Sequence, residues 1–453
     1  MNFWNTNRVR AALDGTVDGE ASGDALELTG VTTDSRAVQR GQLFVALIGE
    51  KFDAHEFIAQ AVEKGAGAVV VSRKPVETLT IPVFEVTDTL EALGKLASFW
   101  RRAWGGPIVM VAGSNGKTTT KDIIRAALGR AMIVHATTGN LNNRIGVPLT
   151  LLAIPRECEI AVVEAGTNLP GEVGILRAII DPDISVVTSV AEEHLEGLGD
   201  LAGVLREEAA AFDGVRIAVT PAAQPEIGEA AQQRAGEVIT AGLDEGDVKP
   251  DSWTIQPDGV GTLDLKSVRL RSPLRGIHNL RNAMLAIAVA RSCGVSDEVA
   301  AAGIQAMPVP RMRTAWEIIG KATLINDAYN ANPGSTRAAI ELLESVAPEK
   351  QRVMVLGTMR ELGDASDRCH DEIARAALVS GAEVIAGVGE YVKAFQRVGP
   401  GDARVVTVET VPELWSKLEP RLKPDAVILL KASRGVQLEQ LVPQLTTWAN
   451  SWC

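Results

Sequence analysis

The chain has 453 residues, of which 46% are apolar and 23% are charged, with a formal net charge of −12. This length predicts about three domains, and the composition is typical of a globular protein. The acidic charge argues against binding of nucleic acid, and no apolar stretch approaches the ~20 residues that span a bilayer, so we expect no membrane insertion. The first residues lack signal-peptide features, and the scattered cysteines lack metal-ligand or disulfide spacing. We therefore expect a cytoplasmic enzyme with reduced thiols.

Strand and helix patterns alternate along the chain, which predicts an α/β fold of three domains. We expect a small N-terminal α/β domain at 1–84, a central P-loop-type parallel-sheet domain at 85–308 and a C-terminal Rossmann-like α/β domain at 309–453. Helical patterns cover residues 57–64, 90–104 and 278–292. Strand patterns cover residues 43–47, 68–71, 108–111, 160–163, 184–188, 217–219, 353–356, 384–388 and 427–430. The proline-containing run 307–310 predicts a linker.

A glycine-rich turn joins the strand pattern at 108–111 to a helical pattern. It comprises Gly113, Ser114, Asn115, Gly116, Lys117, Thr118 and Thr119. Backbone N–H groups in such a turn face a polyphosphate, and the helix N-terminus favours its negative charge. Lys117 can reach the outer phosphates, and the Thr118 hydroxyl can bind Mg²⁺. The alternative is a turn that merely carries a lysine, and Val111 stands where the strict motif has glycine. The flanking strand and helix favour a site for ATP or GTP.

Two further residues follow strand patterns in the same block. Glu164 ends the strand at 160–163, where a Mg²⁺ ligand or a water-orienting group belongs in an α/β sheet. His194 follows the strand at 184–188, and with Thr118 and Glu164 it forms a credible metal-binding set. A solvent-facing glutamate and a structural histidine are the alternatives at these positions.

Side-chain amides cluster at three places. They occur in the loop 138–148, in the run 327–333 and on the helix at 278–292. Amides bind sugar hydroxyls and peptide groups without charge, but ordinary turns are the alternative for both loops. Asn279 and Asn282 are three residues apart and share a helix face, so both could meet one ligand, unless one of them caps the helix.

Together these motifs resemble the Mur ligase family of ATP-dependent amide-forming enzymes, over nearly the whole chain. The resemblance rests on residues 33–36, 41–49, 53–55, 113–121, 138–152, 164–172, 193–195, 313, 327–333, 356–363, 370 and 431–434. The loop 138–148 and the run 327–333 resemble those of the family member that joins D-alanyl-D-alanine to UDP-N-acetylmuramoyl tripeptide. The Asp-Asn-Pro-Arg run of the diaminopimelate-adding sibling is absent.

The resemblance implies a reaction in peptidoglycan precursor synthesis. ATP phosphorylates the tripeptide carboxylate, and the amine of D-alanyl-D-alanine then attacks the acyl phosphate, in a site completed when the domains close. The implied catalytic residues are Lys117, Glu164 and His194. The implied ATP contacts, besides the phosphate loop, are Asn279, Arg313 and Asp327. The implied substrate contacts are Ser35, Arg36, Phe44, Ala46, Thr138, Asn140, Asn142, Asn143, Tyr329, Asn330 and Asn332.

The resemblance also implies two Mg²⁺ ions and a monomer. The first ion is expected on Thr118 and Glu164, and the second on His194 and a lysine carbamoylated by CO₂. Counting on from His194, that lysine is replaced by Glu208, and no lysine occurs between Lys121 and Lys249. Our hypothesis is that the Glu208 carboxylate replaces the carbamate. The alternative is a solvated helix residue beside a weakened metal site.

Smaller departures from the family pattern are Ala54, Thr358 and Ala432, which put local loop geometry in doubt. The alternatives for the whole chain are a sibling ligase, a folylpolyglutamate-type synthetase, or a catalytically silent nucleotide-binding regulator. The sequence leaves open whether the tripeptide ends in lysine or diaminopimelate. It also leaves open whether the acceptor ends in D-alanine or D-lactate.

Overall fold

The computed structural model describes residues 2–13, 25–49, 51–76, 78–309 and 312–452. Within these ranges no helix is both long enough and apolar enough to cross a membrane. By the density of internal contacts the chain divides into two units. The first comprises Met1–Met110, Ile133–Gly166 and Glu172–Asp183, and the second comprises Val111–Met132, Thr167–Gly171 and Ile184–Cys453.

The strands are named in chain order. They are β1 (Val31–Thr32), β2 (Leu43–Val45), β3 (Ala68–Val71), β4 (Val83–Glu85), β5 (Ile108–Ala112), β6 (Val134–Ala136), β7 (Ile160–Glu164), β8 (Ile184–Val187), β9 (Ile217–Pro221), β10 (Glu237–Ala241), β11 (Ser252–Ile255), β12 (Val260–Leu265), β13 (Val268–Arg275), β14 (Ala315–Ile319), β15 (Ala322–Asp327), β16 (Arg352–Gly357), β17 (Val384–Val388), β18 (Val405–Val408) and β19 (Val427–Lys431).

The α-helices are named in the same way. They are α1 (Thr6–Ala12), α2 (Ile58–Glu63), α3 (Thr89–Trp104), α4 (Lys117–Leu128), α5 (Gly146–Leu152), α6 (Glu172–Ile180), α7 (Leu195–Leu198), α8 (Leu201–Ala209), α9 (Pro225–Gln232), α10 (Ile277–Ser292), α11 (Asp297–Gln305), α12 (Pro333–Ser345), α13 (Ser366–Val379), α14 (Tyr391–Val398), α15 (Val411–Leu418) and α16 (Val442–Asn450).

A four-stranded parallel sheet in the order β1-β2-β3-β4 lies near the N-terminus. Successive side chains of β2 enter opposite cores, because the side-chain period of a strand is two residues. Leu43 and Val45 pack in a cluster with Leu93 and Leu96 of α3, whereas Phe44 packs with Ile58 of α2. Burial on both faces explains the continuous apolar run of β3.

The central sheet has six strands in the order β10-β9-β8-β5-β7-β6. The pairs β10–β9, β9–β8 and β7–β6 are parallel, and every residue of β5 is buried. In a parallel sheet the carboxyl ends of the strands form the edge where α/β folds bind ligands. The phosphate loop follows the carboxyl end of β5.

A separate three-stranded antiparallel sheet, β11-β12-β13, follows the central strands in the sequence. The C-terminal sheet has the order β14-β15-β19-β16-β17-β18, in which β14 is antiparallel to β15 and the other paired strands are parallel. Its core contains buried aliphatic residues of the strands together with Leu414 of α15 and Leu445 of α16.

The predicted α/β class is therefore confirmed, and each predicted strand lies on an observed one with ends that differ by at most two residues. The helix predicted at 57–64 begins as a 3-10 turn (Ala54–Phe57) before α2. Residues 307–309 have no helix or strand, as a linker requires, whereas Pro310 lies outside the described residues. The antiparallel sheet β11-β12-β13 was not predicted. The domain boundaries after 84 and 308 stay predictions.

Candidate active site

The phosphate loop has the predicted strand–turn–helix geometry. Gly113 follows β5 with φ +113°, and Gly116 precedes α4 with φ +83°. A Cβ added at Gly113 would lie 2.5 Å from Thr188 Oγ1, so the position requires glycine for both its φ and its space. The loop therefore ends at the N-terminus of a twelve-residue helix, where first-turn N–H groups have no intrahelical acceptor.

The segment after β8 fixes this loop. The Ser114 hydroxyl accepts the Ala191 N–H at 2.9 Å, and the Thr188 hydroxyl donates to the Asn115 carbonyl at 2.6 Å. The N–H groups of Ser114 and Asn115 donate to the backbone and side chain of Ser189. The N–H groups of Ser114 and Asn115 are therefore engaged within the fold, which leaves the N–H groups at the start of α4 for the predicted phosphate contacts.

Lys117 lies at the first position of α4 and is largely buried. Its ammonium donates to the carbonyl oxygens of Gly113 and Ser114, and it forms an ion pair with Glu193, with 3.5 Å between Nζ and Oε1. Glu193 is only 5% exposed. A buried carboxylate thus partly offsets the lysine charge at the place where a polyphosphate would bind.

Glu208, on α8, is buried against the same loop. Its Oε2 accepts the Gly113 N–H at 2.7 Å, and its Oε1 has no hydrogen-bond partner among the described residues. Burial raises the pKa of this carboxyl to about 7, although the nearby Lys117 charge lowers the pKa in part. The alternative of a solvated helix residue is wrong, because Glu208 is 1% exposed.

His194 directly precedes α7 in a left-handed conformation with φ +50°. Its Nδ1 lies 2.6 Å from Glu361 Oε2, and its Nε2 lies 4.0 Å from Glu193 Oε2. Burial lowers the pKa of His194, but the two carboxylates outweigh burial and raise it overall.

Glu164 is 1% exposed at the end of β7, so the solvent-facing alternative is wrong. Its Oε1 accepts from the Asn142 amide at 2.9 Å. The side-chain Oδ1 of Asn143 accepts the N–H groups of Ile145 and Gly146, beside the start of α5. Asn142 and Asn143 thus have roles within the fold in addition to their predicted substrate contacts. Thr138 and Asn140 are exposed.

The C-terminal residues form a polar cluster after β15 and β19. Asp327 Oδ2 pairs with Lys431 Nζ at 2.6 Å, and Oδ1 of Asp327 accepts the Thr314 N–H at 2.9 Å. Lys431 also donates to the Asn330 carbonyl at 2.8 Å. The Arg313 guanidinium lies 4.3 Å from the centre of the Tyr329 ring.

Asn332 connects this cluster to the phosphate loop. It caps α12 in a capping box with Ser335. Its amide also donates to Asn115 Oδ1 at 2.8 Å and to Glu193 Oε2 at 3.4 Å. A predicted substrate residue is thereby placed beside the predicted ATP site.

Asn279 and Asn282 are buried on one face of α10, and neither caps it, because Gly276 holds that position. The Asn282 amide donates to Asn279 Oδ1 at 3.3 Å. A Cβ added at Gly116 would lie 3.0 Å from the Asn282 amide. The shared face therefore packs on the phosphate loop.

The predicted contacts near the N-terminus differ in accessibility. The Ser35 hydroxyl donates to Gln60 at 2.8 Å, and exposed Arg36 pairs with Asp34 at 2.9 Å. The side chains of Phe44 and Ala46 are fully buried in an apolar cluster. The side chains of these two residues are therefore not accessible to a ligand in this structure.

Comparison with known proteins gives a consistent result along the chain. The models described as "Mur ligase family, catalytic domain", "Mur ligase middle domain" and "Mur ligase, glutamate ligase domain" match residues 27–101, 111–290 and 311–434, respectively. The chain is 36% identical to the UDP-N-acetylmuramoyl-tripeptide–D-alanyl-D-alanine ligase of Bacillus subtilis (strain 168), over 92% of this chain and 93% of that protein. This chain belongs to the Mur ligase family.

Solved Mur ligases share its fold. The structure of MurF from Acinetobacter baumannii superposes with a TM-score of 0.89 at 29% identity, covering 98% of this chain and 99% of that one. The MurF ligase from Thermotoga maritima, solved in complex with ADP, gives a TM-score of 0.84 at 25% identity, covering 94% and 98% of the two chains.

Two residues of this Mur ligase that were not predicted as site residues, Glu193 and Glu361, contact predicted ones. Both lie inside motifs that the sequence displays, next to His194 and within residues 356–363, but their partners are far away in the chain. Only the folded structure shows that Glu193 contacts Lys117 and that Glu361 contacts His194.

The donor set at the phosphate loop fits Mg²⁺ better than it fits a softer metal. Glu208 Oε1 is a buried carboxylate oxygen without a hydrogen-bond partner among the described residues, and carboxylate oxygen is a preferred ligand of Mg²⁺. Among all the residues that the structure describes, no three His, Cys, Asp or Glu side chains are grouped closely enough to hold a metal ion by themselves. A Mg²⁺ ion here would therefore need phosphate and water ligands as well.

Proposed function

We propose that this chain is the ATP-dependent ligase that joins D-alanyl-D-alanine to UDP-N-acetylmuramoyl tripeptide in the cytoplasmic stage of peptidoglycan precursor synthesis. The observation that carries the proposal is its 36% identity to the Bacillus subtilis ligase of that name over 92% of the chain. The phosphate loop with buried Lys117 supports the use of ATP. The proposed working form is a monomer, which light scattering of the purified protein tests.

The reaction proceeds in two steps, phosphorylation of the tripeptide and then amide formation. A terminal carboxylate oxygen of the tripeptide attacks the γ-phosphorus of ATP, and the bond to the β–γ bridging oxygen breaks, giving an acyl phosphate and ADP. The amine of D-alanyl-D-alanine then attacks the acyl carbon, loses a proton and displaces phosphate. Lys117 stabilises negative charge on the transferred phosphoryl group.

The residues around the loop divide this work. The start of α4 provides backbone N–H groups for the phosphates, and Gly113 and Gly116 let the backbone approach them closely. Arg313 and Asp327 bind and orient the nucleotide, and Asn332 holds the cluster that contains them beside the loop. Exclusion of water from this site protects the acyl phosphate from hydrolysis.

Bound Mg²⁺ supplies positive charge that stabilises the negative phosphate oxygens. The Thr118 hydroxyl, the Glu208 carboxylate and His194 are the groups of the second unit that would hold it. The predicted role of Glu164 as a ligand rests on the family resemblance. In this arrangement Glu208 replaces a carbamoylated lysine, so the enzyme needs no CO₂.

The substrate assignment is tested by phosphate release over a matrix of UDP-muramoyl peptides and amines. We expect release only when the UDP-muramoyl substrate is a tripeptide, ending in lysine or diaminopimelate, and the amine is D-alanyl-D-alanine or its D-lactate analogue. Lys117→Ala should reduce turnover by about 10³-fold or more, because it removes a charge that acts on the transition state. Preference for a single amino acid or a folate would show a sibling activity, and no ADP under any condition would show a silent regulator.

The role of Glu208 is tested with and without bicarbonate. We expect wild-type turnover to be independent of bicarbonate and Glu208→Ala to lose ~10²-fold or more. The neighbouring Glu207→Gln is the control, because Glu207 bonds to Thr167 and Gly171 rather than to the phosphate loop. Bicarbonate dependence of the wild type, or near-normal turnover of Glu208→Ala, would contradict this role.

A further inference from the structure

His194 and Glu361 meet at two backbone positions that L-amino acids rarely adopt. Their φ angles are +50° and +64°, and their side chains approach to 2.6 Å between Nδ1 and Oε2. Left-handed conformations at residues other than glycine cost about 1–3 kcal/mol each and persist only where the surrounding structure holds them. The surrounding structure therefore holds His194 and Glu361 in these conformations at a cost in stability, as is common for residues with a functional role.

The Glu361 carboxylate lies on the loop 358–363, which follows β16. The Met359 N–H donates to Nε2 of fully buried His370 at 3.0 Å, which fixes the start of the loop. The Glu361 carbonyl accepts the Glu196 N–H at 3.4 Å, which fastens the loop to the first turn of α7. The Glu361 side chain is thus anchored on both sides of the contact with His194.

The second ring nitrogen of His194 lies on the side of the phosphate loop. Nε2 is 4.0 Å from Glu193 Oε2, and Oε1 of Glu193 is 3.5 Å from Lys117 Nζ. In an imidazole, the hydrogen bond made by one nitrogen determines the state of the other. The Glu361 carboxylate lies 2.6 Å from Nδ1 as an ion-pair contact without hydrogen-bond alignment, and its charge favours a proton on that nitrogen. The Nε2 lone pair of the neutral ring is then left on the side of Lys117.

We propose that Glu361 is a positioning residue that holds His194 with its proton on Nδ1 and its Nε2 facing the nucleotide phosphates and their Mg²⁺. The proposal rests on the proposed function, in which ATP binds at Lys117. A carboxylate carried by the C-terminal sheet then orients a histidine that follows the central strand β8. Nucleotide chemistry at the phosphate loop thereby depends on a residue that does not touch the nucleotide.

The first test reads the histidine ring directly in protein without metal or nucleotide. Long-range ¹H–¹⁵N spectra distinguish the tautomers of the chain's five histidines, with His194 assigned through His194→Gln. At a pH where the ring is neutral, we expect wild-type His194 to carry its proton on Nδ1. Glu361→Ala should shift both nitrogen signals of His194, and Glu361→Gln should shift them less, because its amide oxygen keeps partial negative charge near Nδ1. Unchanged His194 signals in Glu361→Ala would overturn the proposal.

The second test measures ADP release against Mg²⁺ concentration. Glu361→Ala should weaken the apparent Mg²⁺ affinity or reduce kcat by about 10- to 100-fold, and Glu361→Gln should lose less. Glu383→Ala is the matched control, since this exposed carboxylate pairs only with Lys423 within the described residues. If His194→Ala keeps full turnover, the proposed site itself is wrong. If His194→Ala is inactive while Glu361→Ala behaves like wild type, only the positioning role is overturned.

Discussion

At the scale of single residues, burial determines which side chains can act at the phosphate loop. Lys117 lies near two carboxylates, Glu193 and Glu208, and both are at most 5% exposed. Burial of the Glu208 carboxyl disfavours its charged form and is the main reason that its pKa is raised to about 7. The Lys117 ammonium lowers this pKa in part, and the Glu193 carboxylate raises it further.

The raised pKa predicts how stability depends on pH. The unfolded carboxyl titrates near 4.5 and the folded one near 7, so the folded state binds more protons between these values. The stabilising contribution of Glu208 to the free energy of unfolding is therefore full below about pH 4.5, and it is lost as pH rises through 7. Above pH 7 the wild type should be less stable than Glu208→Gln by up to about 3 kcal/mol, and at pH 5 the difference should fall to about 1 kcal/mol or less.

Thermal unfolding of both proteins in EDTA at pH 5 and pH 8.5 measures this difference. Glu383→Gln, which changes a surface carboxylate, should shift Tm only slightly at either pH. A stability gap between Glu208→Gln and wild type that does not grow with pH would contradict a raised pKa at Glu208.

At the scale of elements, the functional unit is the strand–turn–helix formed by β5, the phosphate loop and α4. The strand end and the helix start are set locally by apolar period and by glycine. Their partner segments, after β8 and before α12, then lock the turn through Ala191 and Asn332. A change that moves the turn should therefore affect stability and nucleotide binding together.

Gly113→Ala tests whether stability and nucleotide binding change together. The new Cβ would lie 2.5 Å from Thr188 Oγ1 and 2.7 Å from the Thr188 backbone nitrogen, at a φ that alanine disfavours. We expect a loss of roughly 2–4 kcal/mol in stability and about 10²-fold or more in turnover. Gly401→Ala is the control, because its φ is also positive but nothing lies within 4 Å of the added Cβ. Its cost should stay near ~1 kcal/mol with normal turnover. Equal losses in the two variants would show that backbone strain alone, and not the contact with Thr188, sets the effect.

At the scale of the whole molecule, the second unit joins the phosphate loop to the C-terminal cluster of Asp327, Asn332 and Glu361. Contacts from these residues reach the loop and the segment that carries His194. Ligand binding at the loop should therefore stabilise the unit as a whole.

Mg²⁺ with ADP at one hundred times its Kd should add about 2.7 kcal/mol to the stability of this unit. EDTA alone should leave Tm unchanged, since the described residues offer no group of three His, Cys, Asp or Glu ligands for a structural metal. Scanning calorimetry with and without ligand measures both effects, and Lys117→Ala should abolish the shift from ADP. A fall of Tm in EDTA alone would contradict the view that metal acts only with nucleotide.

Much of the fold could be predicted from the sequence because its information is local. The apolar runs of β3, β5 and β7 and the period of α3 and α10 are visible in windows of a few residues. The strands β11, β12 and β13 contain many exposed or half-buried polar residues and no continuous apolar run, so this antiparallel sheet was missed. The burial of Phe44 and Ala46 was missed for a different reason, because side-chain direction at a strand end depends on which helix covers that face.

The sequence by itself determined that a phosphate loop follows a buried strand. It was also enough to predict Lys117, Thr118 and His194 as site residues. Only the tertiary structure decided which charges meet. Glu208 accepts from Gly113, Asn332 donates to Asn115 and Glu361 binds His194, although each pair is distant in the chain. The physical reason is that pairing and pKa depend on burial and distance in space, which are set when separate segments pack together.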